Sequence, residues 1–246
     1  MRKLASLLMA LSLAGSYTNA SSLMLKSFEN KNYIVFKPLN LTHLQMRLQR
    51  EDGEPLHSFS QWQRELASCQ SMLFAMNAGM YHANYQPVGL YIEKYKQHQP
   101  LNVSDGAGNF FMQPNGVLAW DAYDAVIATT SNWQKHQFKA EFATQSGPML
   151  VIDGAIHPKF IRHSDSKKFR NGVGIKENQL YFVISQQRVN FYEFAEFFKD
   201  VLQVEHALYL DGSISSIYAP KINRHDRAYK LGPILGYVVD ECDQDA

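Results

Sequence analysis

Three short polar turns carry the residues of this 246-residue chain best suited to chemistry, each at the end of an apolar run. Asp211-Gly212-Ser213 follows the apolar residues 207–210, Asn77-Ala78-Gly79 follows 72–76, and Ser146-Gly147-Pro148 precedes 149–152. Buried strands that break into glycine beside a carboxylate, amide or hydroxyl present polar groups at the mouth of a cleft. An acid such as Asp211 at a strand end is partly withdrawn from water, which raises its pKa and suits it to work as a base or nucleophile. Gly212 lets a ligand approach the backbone, and Ser213 offers a donor to a phosphate or sugar oxygen. Asn77 brings an amide with two donors and an acceptor, with Gly79 in the turn beside it. Ser146 and Gly147 could aim backbone N–H groups at an anion. Ser146 as a nucleophile needs an adjacent base, and residues 143–147 lack the first glycine of a nucleophile elbow. Each turn also has a purely structural reading: an Asp-Gly turn, an Asn cap, a bend before a strand.

Arg170-Asn171-Gly172-Val173-Gly174 adds a fixed cation ahead of a strand. A guanidinium matches a phosphate through two parallel hydrogen bonds. Arg170 is therefore expected to point inward, while Lys167 and Lys168 read as a solvated loop. Gly172 and Gly174 lack the third glycine and the following helix of a dinucleotide site. Nine histidines are scattered without metal-ligand spacing; His82 and His163 lie nearest the turns. Glu93, Asp105 and Asp153 are candidate partners for Asp211. No cofactor is called for. Oxygen donors at Asp211 and Asn77 would suit a hard cation such as calcium, but no spacing defines a metal site.

The elements that must hold these residues read as follows. Strands are expected at 33–36, 41–48, 88–92, 108–112, 117–120, 173–175, 180–184, 208–210 and 234–239, and Asn115-Gly116 is a hairpin signal. A short helix is expected over 60–68, with a Ser cap. The clearest helix runs over 191–201, capped by Asn190 with Glu193 three residues on. Many short strands with few helices indicate an α+β domain on a mixed or antiparallel sheet. No linker and no repeat divides residues 21–246, so one domain is expected.

Residues 1–20 read as a signal peptide: Arg2 and Lys3, an apolar stretch over 4–14, then small residues up to Ala20. The product is expected to be periplasmic or secreted, without stable membrane insertion. Removal takes two of 24 basic residues and none of 23 acids, leaving 22 against 23, or net −1. A near-neutral chain has no field for polyanions, which argues against nucleic acid as partner. Cys69 and Cys242 could pair after export; closing so long a loop stabilises by roughly 4–5 kcal/mol in the chain-entropy view. Two thiols are too few for a Cys-type metal site. Nothing in the sequence sets the oligomeric state.

Taken in order, residues 74–81, 87–93, 108–116, 143–150, 170–174 and 208–216 resemble the phosphodiester glycosidase family, in its bacterial branch related to exopolysaccharide. The resemblance runs from about Phe74 to Gly236. It implies an α+β fold whose turns converge on one cleft, and hydrolysis of a sugar-1-phosphodiester in an envelope or extracellular glycan. By position, Asn77, Gly79, Ser146, Gly147, Arg170, Asp211, Gly212 and Ser213 would line the site. Arg170 would hold the phosphodiester. Asp211 would act as base or nucleophile at the anomeric carbon, through an oxocarbenium-like transition state. Asn77, Ser146 and Ser213 would orient oxygens. The chain has Ala78 and Met80 where the family commonly has Gly and Phe, and Ser213 where it commonly has a second Gly. Both positions bear on substrate identity more than on fold. Two other readings use the same residues: a non-catalytic envelope protein that binds a phosphorylated glycan through Tyr81, Phe110 and Phe111, and a hydrolase of another bond with Ser146 as nucleophile.

Overall fold

The structure is a computed structural model that describes residues 21–211 and 214–241. The expected signal peptide, Gly212, Ser213 and Cys242 lie outside the described residues. In chain order the strands are β1 (Ser22–Phe28), β2 (Lys31–Lys37), β3 (Leu44–Arg47), β4 (Gln70–Asn77), β5 (Tyr91–Glu93), β6 (Lys96–Gln99), β7 (Gly116–Trp120), β8 (Ala125–Thr129) and β9 (Phe142–Ser146). They continue as β10 (Met149–Ile152), β11 (Ala155–Ile156), β12 (Asn171–Lys176), β13 (Gln179–Ser185), β14 (His206–Asp211), β15 (Ile217–Ala219), β16 (Arg224–His225) and β17 (Ile234–Asp240). Three short α-helices join them: α1 (Phe59–Arg64), α2 (Thr130–Trp133) and α3 (Phe191–Glu196). The strands form three sheets, ordered β1-β2-β13-β12-β14-β10-β11, β16-β15-β4-β17-β3 and β6-β5-β9-β7-β8. Every ladder is antiparallel, so of the mixed or antiparallel sheet expected for this α+β domain the antiparallel form holds.

The sequence dictates a sheet covered on both sides. In β2, Tyr33, Ile34, Val35 and Phe36 are consecutive and all buried. A strand alternates faces. Ile34 and Phe36 therefore enter a central core shared by all three sheets, where Phe36 stacks on Phe74 of β4 at 4.1 Å. Tyr33 and Val35 face the other way, onto α3 and the turn after it. In β14, Leu208 and Leu210 face the central core, and Ala207 and Tyr209 the helix side. Alternation thus decides which side chain at each strand end faces the sheet junction and which is sealed beneath the helix.

The predicted helix starts with its capping box in place: Asn190 accepts from the Glu193 N–H, and the Glu193 side chain accepts from the Asn190 N–H. It loosens into a single π-type turn over Phe197–Val201. The early helix is capped by Ser58, two residues ahead of the expected start. The expected strand at 41–48 splits into a 3₁₀ turn and β3. Two expectations fail. Residues 108–112 form turns, not a strand. Asn115-Gly116 makes no hairpin, because the buried Asn115 side chain donates to the Phe110 carbonyl and accepts from Thr130 Oγ1. That amide staples distant segments. Cys69 is disulfide-bonded. Among the described residues, no helix is long and apolar enough to cross a membrane.

Candidate active site at the junction of the three sheets

Each sheet ends a strand at the same place. Asn77 closes β4, Asp211 closes β14 opposite Asn171 at the start of β12, and Ser146 closes β9. The β12–β14 register shifts between Asn171 and Gly172, leaving one extra residue on β14 directly before Asp211. A bulge at such a point re-aims the side chain that follows it.

Asn77 is fully buried. Its Oδ1 accepts from the Ser216 N–H at 2.8 Å and from Asn171 Nδ2 at 3.2 Å. A backbone N–H can only donate, so the amide orientation is fixed and Nδ2 must face the other way. That Nδ2 is buried and has no hydrogen-bond partner among the described residues. A buried donor without an acceptor costs roughly 1–3 kcal/mol, and such a group in a native fold calls for an explanation. A ligand oxygen supplies one. Asn171, also fully buried, donates through Nδ2 to the Asn77 carbonyl at 3.0 Å. Its Oδ1 accepts from the Asp211 N–H at 3.0 Å. Ser215 Oγ donates to the Asp211 carbonyl at 2.6 Å and lies 3.3 Å from Asn171 Oδ1. Two amides and a hydroxyl thus fix the backbone on either side of the half-buried Asp211.

Ser146 is fully buried, and its Oγ donates to the Leu210 carbonyl at 2.6 Å. This ties the third sheet to β14 one residue before Asp211. Ser146 is a positioning group, and the nucleophile reading fails because its proton is committed to a carbonyl. Gly79 and Gly147 are close-packing positions. A Cβ on Gly79 would lie 2.6 Å from the Gln145 carbonyl oxygen, and one on Gly147 would lie 2.5 Å from Asn115 Cβ. Each is held as glycine by close packing against a neighbouring segment.

Arg170 requires the largest correction. Only 1% of it is exposed. Nε donates to the Val189 carbonyl at 2.9 Å, one Nη to Tyr209 Oη at 3.1 Å and the other to the Ser166 carbonyl at 2.9 Å. The guanidinium lies 3.8 Å from the Phe191 ring centre. Alternation explains the error: Arg170 and Asn171 are neighbours, so they face opposite sides of the sheet. The sealed side fell to the arginine and the junction side to the amide. Burial lowers the Arg170 pKa and raises that of Tyr209, whose phenol therefore stays neutral while its oxygen accepts the hydrogen bond from the guanidinium. Arg170 pins the helix side of the sheet and does not grip a substrate here.

At the rim, the Phe169 carbonyl lies 3.2 Å from Ser215 Oγ, and its half-exposed ring sits 5.8 Å from the Arg188 guanidinium. Burial, then the charge of Asp211, raises the Tyr81 pKa, so Tyr81 lies within the field of that carboxylate. Of the other candidate carboxylates, Glu93 accepts from Tyr91 Oη and Asp153 pairs with His206. Phe110 is buried, which removes it from any glycan-binding surface. Among the described residues, no group of three or more His, Cys, Asp or Glu is placed to hold a metal ion.

Asn171, Ser215 and Ser216 were missed as site residues. Asn171 stands between Arg170 and Gly172, and a strict two-residue alternation through 169–171 would have found it.

Residues 70–233 match the phosphodiester glycosidase family, and the chain belongs to it. It is similar to the uncharacterized protein YigE of Escherichia coli (strain K12), with 42% identity over 176 residues, 71% of this chain and 69% of that protein. In fold it is similar to the catalytic domain of zebrafish N-acetylglucosamine-1-phosphodiester alpha-N-acetylglucosaminidase, auto-inhibited by its pro-peptide. The TM-score is 0.60 at 14% identity, over 89% of this chain and 82% of that one.

Proposed function

We propose that the protein hydrolyses the bond between a sugar C1 and a phosphodiester oxygen, in an envelope or extracellular glycan. The observation that carries this is the orphan Nδ2 of Asn77, a fixed donor set into the amide cluster that frames Asp211, in a chain of the phosphodiester glycosidase family.

Cleavage at C1 turns the diester into a phosphate monoester, which leaves as a weakly basic anion, so little general-acid help is needed. The demand falls on the anomeric carbon, where positive charge develops. Asp211 meets it as nucleophile or as base toward water. Asn77 Nδ2 donates to a sugar or phosphate oxygen. Because that donor is held before substrate arrives, it needs no reorganisation in the transition state. With Arg170 committed to the fold, the cation assigned to the phosphate is the exposed Arg188, over the ring of Phe169, whose carbonyl accepts from Ser215 Oγ. A basic start followed by an apolar stretch, together with a disulfide at Cys69, supports action outside the cytoplasm.

The test is release of free sugar from UDP-N-acetylglucosamine, and from a simple sugar-1-phosphodiester, by purified wild-type protein and by Asp211→Asn. The wild type is expected to release sugar and the variant to fall by at least about a thousandfold. Equal rates would remove Asp211 from the chemistry. No release by folded wild type across several sugars would favour the glycan-binding alternative.

A further inference from the structure

A row of rings borders the Asp211 cluster without belonging to it. Tyr81 follows the end of β4 and opens a short loop that closes on itself. Tyr81 bridges to Pro87, the Val88 N–H bonds the Met80 carbonyl, and the His82 N–H bonds the Gln86 carbonyl. The Tyr81 and Tyr85 rings lie 5.9 Å apart at 24°, and Tyr85 meets His57 edge-on at 4.2 Å. All three side chains are half-buried.

The row is built at a cost to the backbone. His57 has φ 60° and Tyr85 φ 66°. Bulky side chains rarely occupy this left-handed region. Such strain persists only where the surroundings over-determine it, and it collects at ligand sites. Here the two strained residues touch each other and complete one surface.

Residues 230–232 hold that surface in place. Tyr81 Oη donates to the Lys230 carbonyl at 3.1 Å, and His57 bridges to Leu231. A Cβ on Gly232 would lie 2.4 Å from the Tyr81 ring, so only glycine lets the ring rest there. The carbonyl of Pro233, next to Gly232, accepts from the Ala78 N–H at 2.8 Å, and Ile234 pairs with Asn77, so one end of the row stands beside the Asn77 end of β4 and the amide cluster around Asp211.

We propose that Tyr81, Tyr85 and His57 form a preorganised stacking wall that takes one face of a pyranose ring and turns its anomeric carbon toward Asp211; the inference rests on the glycosidase reading above. A pyranose shows C–H groups on its face, and an aromatic ring meets them with its electron-rich face. Rings already locked in place lose little freedom on binding.

The test compares Tyr81→Ala, Tyr81→Phe and Tyr85→Gly with wild type. It uses hydrolysis of UDP-N-acetylglucosamine, and saturation-transfer NMR on the ring protons of N-acetylglucosamine. Glycine tolerates the left-handed backbone at 85, so that variant removes the ring while easing the strain on the fold. Tyr81→Ala and Tyr85→Gly are expected to raise KM roughly tenfold, with a smaller change in kcat, and to weaken the ring-proton signal. Tyr81→Phe, which keeps the ring, recovers most of the KM lost in Tyr81→Ala. KM and signal within about twofold of wild type in both ring-deleting variants would overturn the wall. If wild type releases no sugar, the hydrolytic reading fails and the wall is judged by NMR alone. Saturation of the ring protons in wild type and its loss in the variants supports the wall, and no saturation in wild type overturns it.

Discussion

Replacing Arg170 with alanine should cost this protein stability before it costs catalysis. The guanidinium donates to the Val189 carbonyl, the Ser166 carbonyl and Tyr209 Oη. Truncation takes that donor from beneath the Phe191 ring; the Val189 carbonyl keeps the Lys168 N–H at 3.0 Å and Ser166 is exposed, so the buried Tyr209 Oη bears the larger loss. A buried acceptor stripped of its partner costs roughly 1–3 kcal/mol, and water entering the vacated space recovers part of it. With the packing of a fully buried long side chain lost as well, a total of about 3–5 kcal/mol follows. For a domain of this size each kcal/mol lowers Tm by roughly 2–4 °C, so a fall of about 10 °C is expected. Arg170→Lys keeps a charge but has no planar fork to reach three acceptors, and should fall between. The assay is thermal unfolding by circular dichroism, paired with turnover measured well below both midpoints. A melting temperature within about 2 °C of wild type, with turnover abolished, would show that Arg170 acts on substrate and that its buried bonds are incidental.

Ser146→Ala removes the hydroxyl that ties the third sheet to the Leu210 carbonyl. It should lower turnover by about fivefold while leaving clear activity, since a net hydrogen bond is worth roughly 1 kcal/mol; complete loss in a folded variant would restore the nucleophile reading. His157 is buried, its Nε2 has no hydrogen-bond partner within bonding geometry among the described residues, and burial lowers its pKa. The folded protein therefore takes up a proton there less readily than the unfolded chain, so this contribution to stability is full above about pH 6.5 and is lost as pH falls toward the lower folded-state value. Melting temperatures of wild type should fall between about pH 7 and pH 5, and His157→Gln should flatten part of that slope, with His225, lowered by its own burial, supplying some of the remainder. Parallel slopes for the two proteins would exclude His157 as the source.

The strands of the first sheet were legible because their apolar runs are long and unbroken, as at 33–36 and 208–210, where both faces are buried and composition alone marks the segment. The capping box at Asn190 was legible because its pattern is local. Asn115 misled because a hairpin signal is also local, whereas its side chain bonds Phe110 and Thr130, which sequence spacing does not relate. The same limit governed the site. Asn77 and Asp211 stood out as polar residues after apolar runs. Which of Arg170 and Asn171 faced the junction turned on strand alternation, and a buried arginine at that step defeated the prior that cations seek the cleft.

The amide pair has one more consequence, for how occupancy can be observed. The Asn77 and Asn171 side chains accept the backbone N–H groups of Ser216 and Asp211. Those two amide protons are held by side chains rather than by a strand ladder, so they report on the cluster itself. A substrate analogue that satisfies Asn77 Nδ2 would stiffen the acceptor of the Ser216 proton. Deuterium uptake at Ser216 would then slow with ligand while uptake along β17 stays constant, giving a residue-level signal of binding that needs no turnover and no label on the sugar.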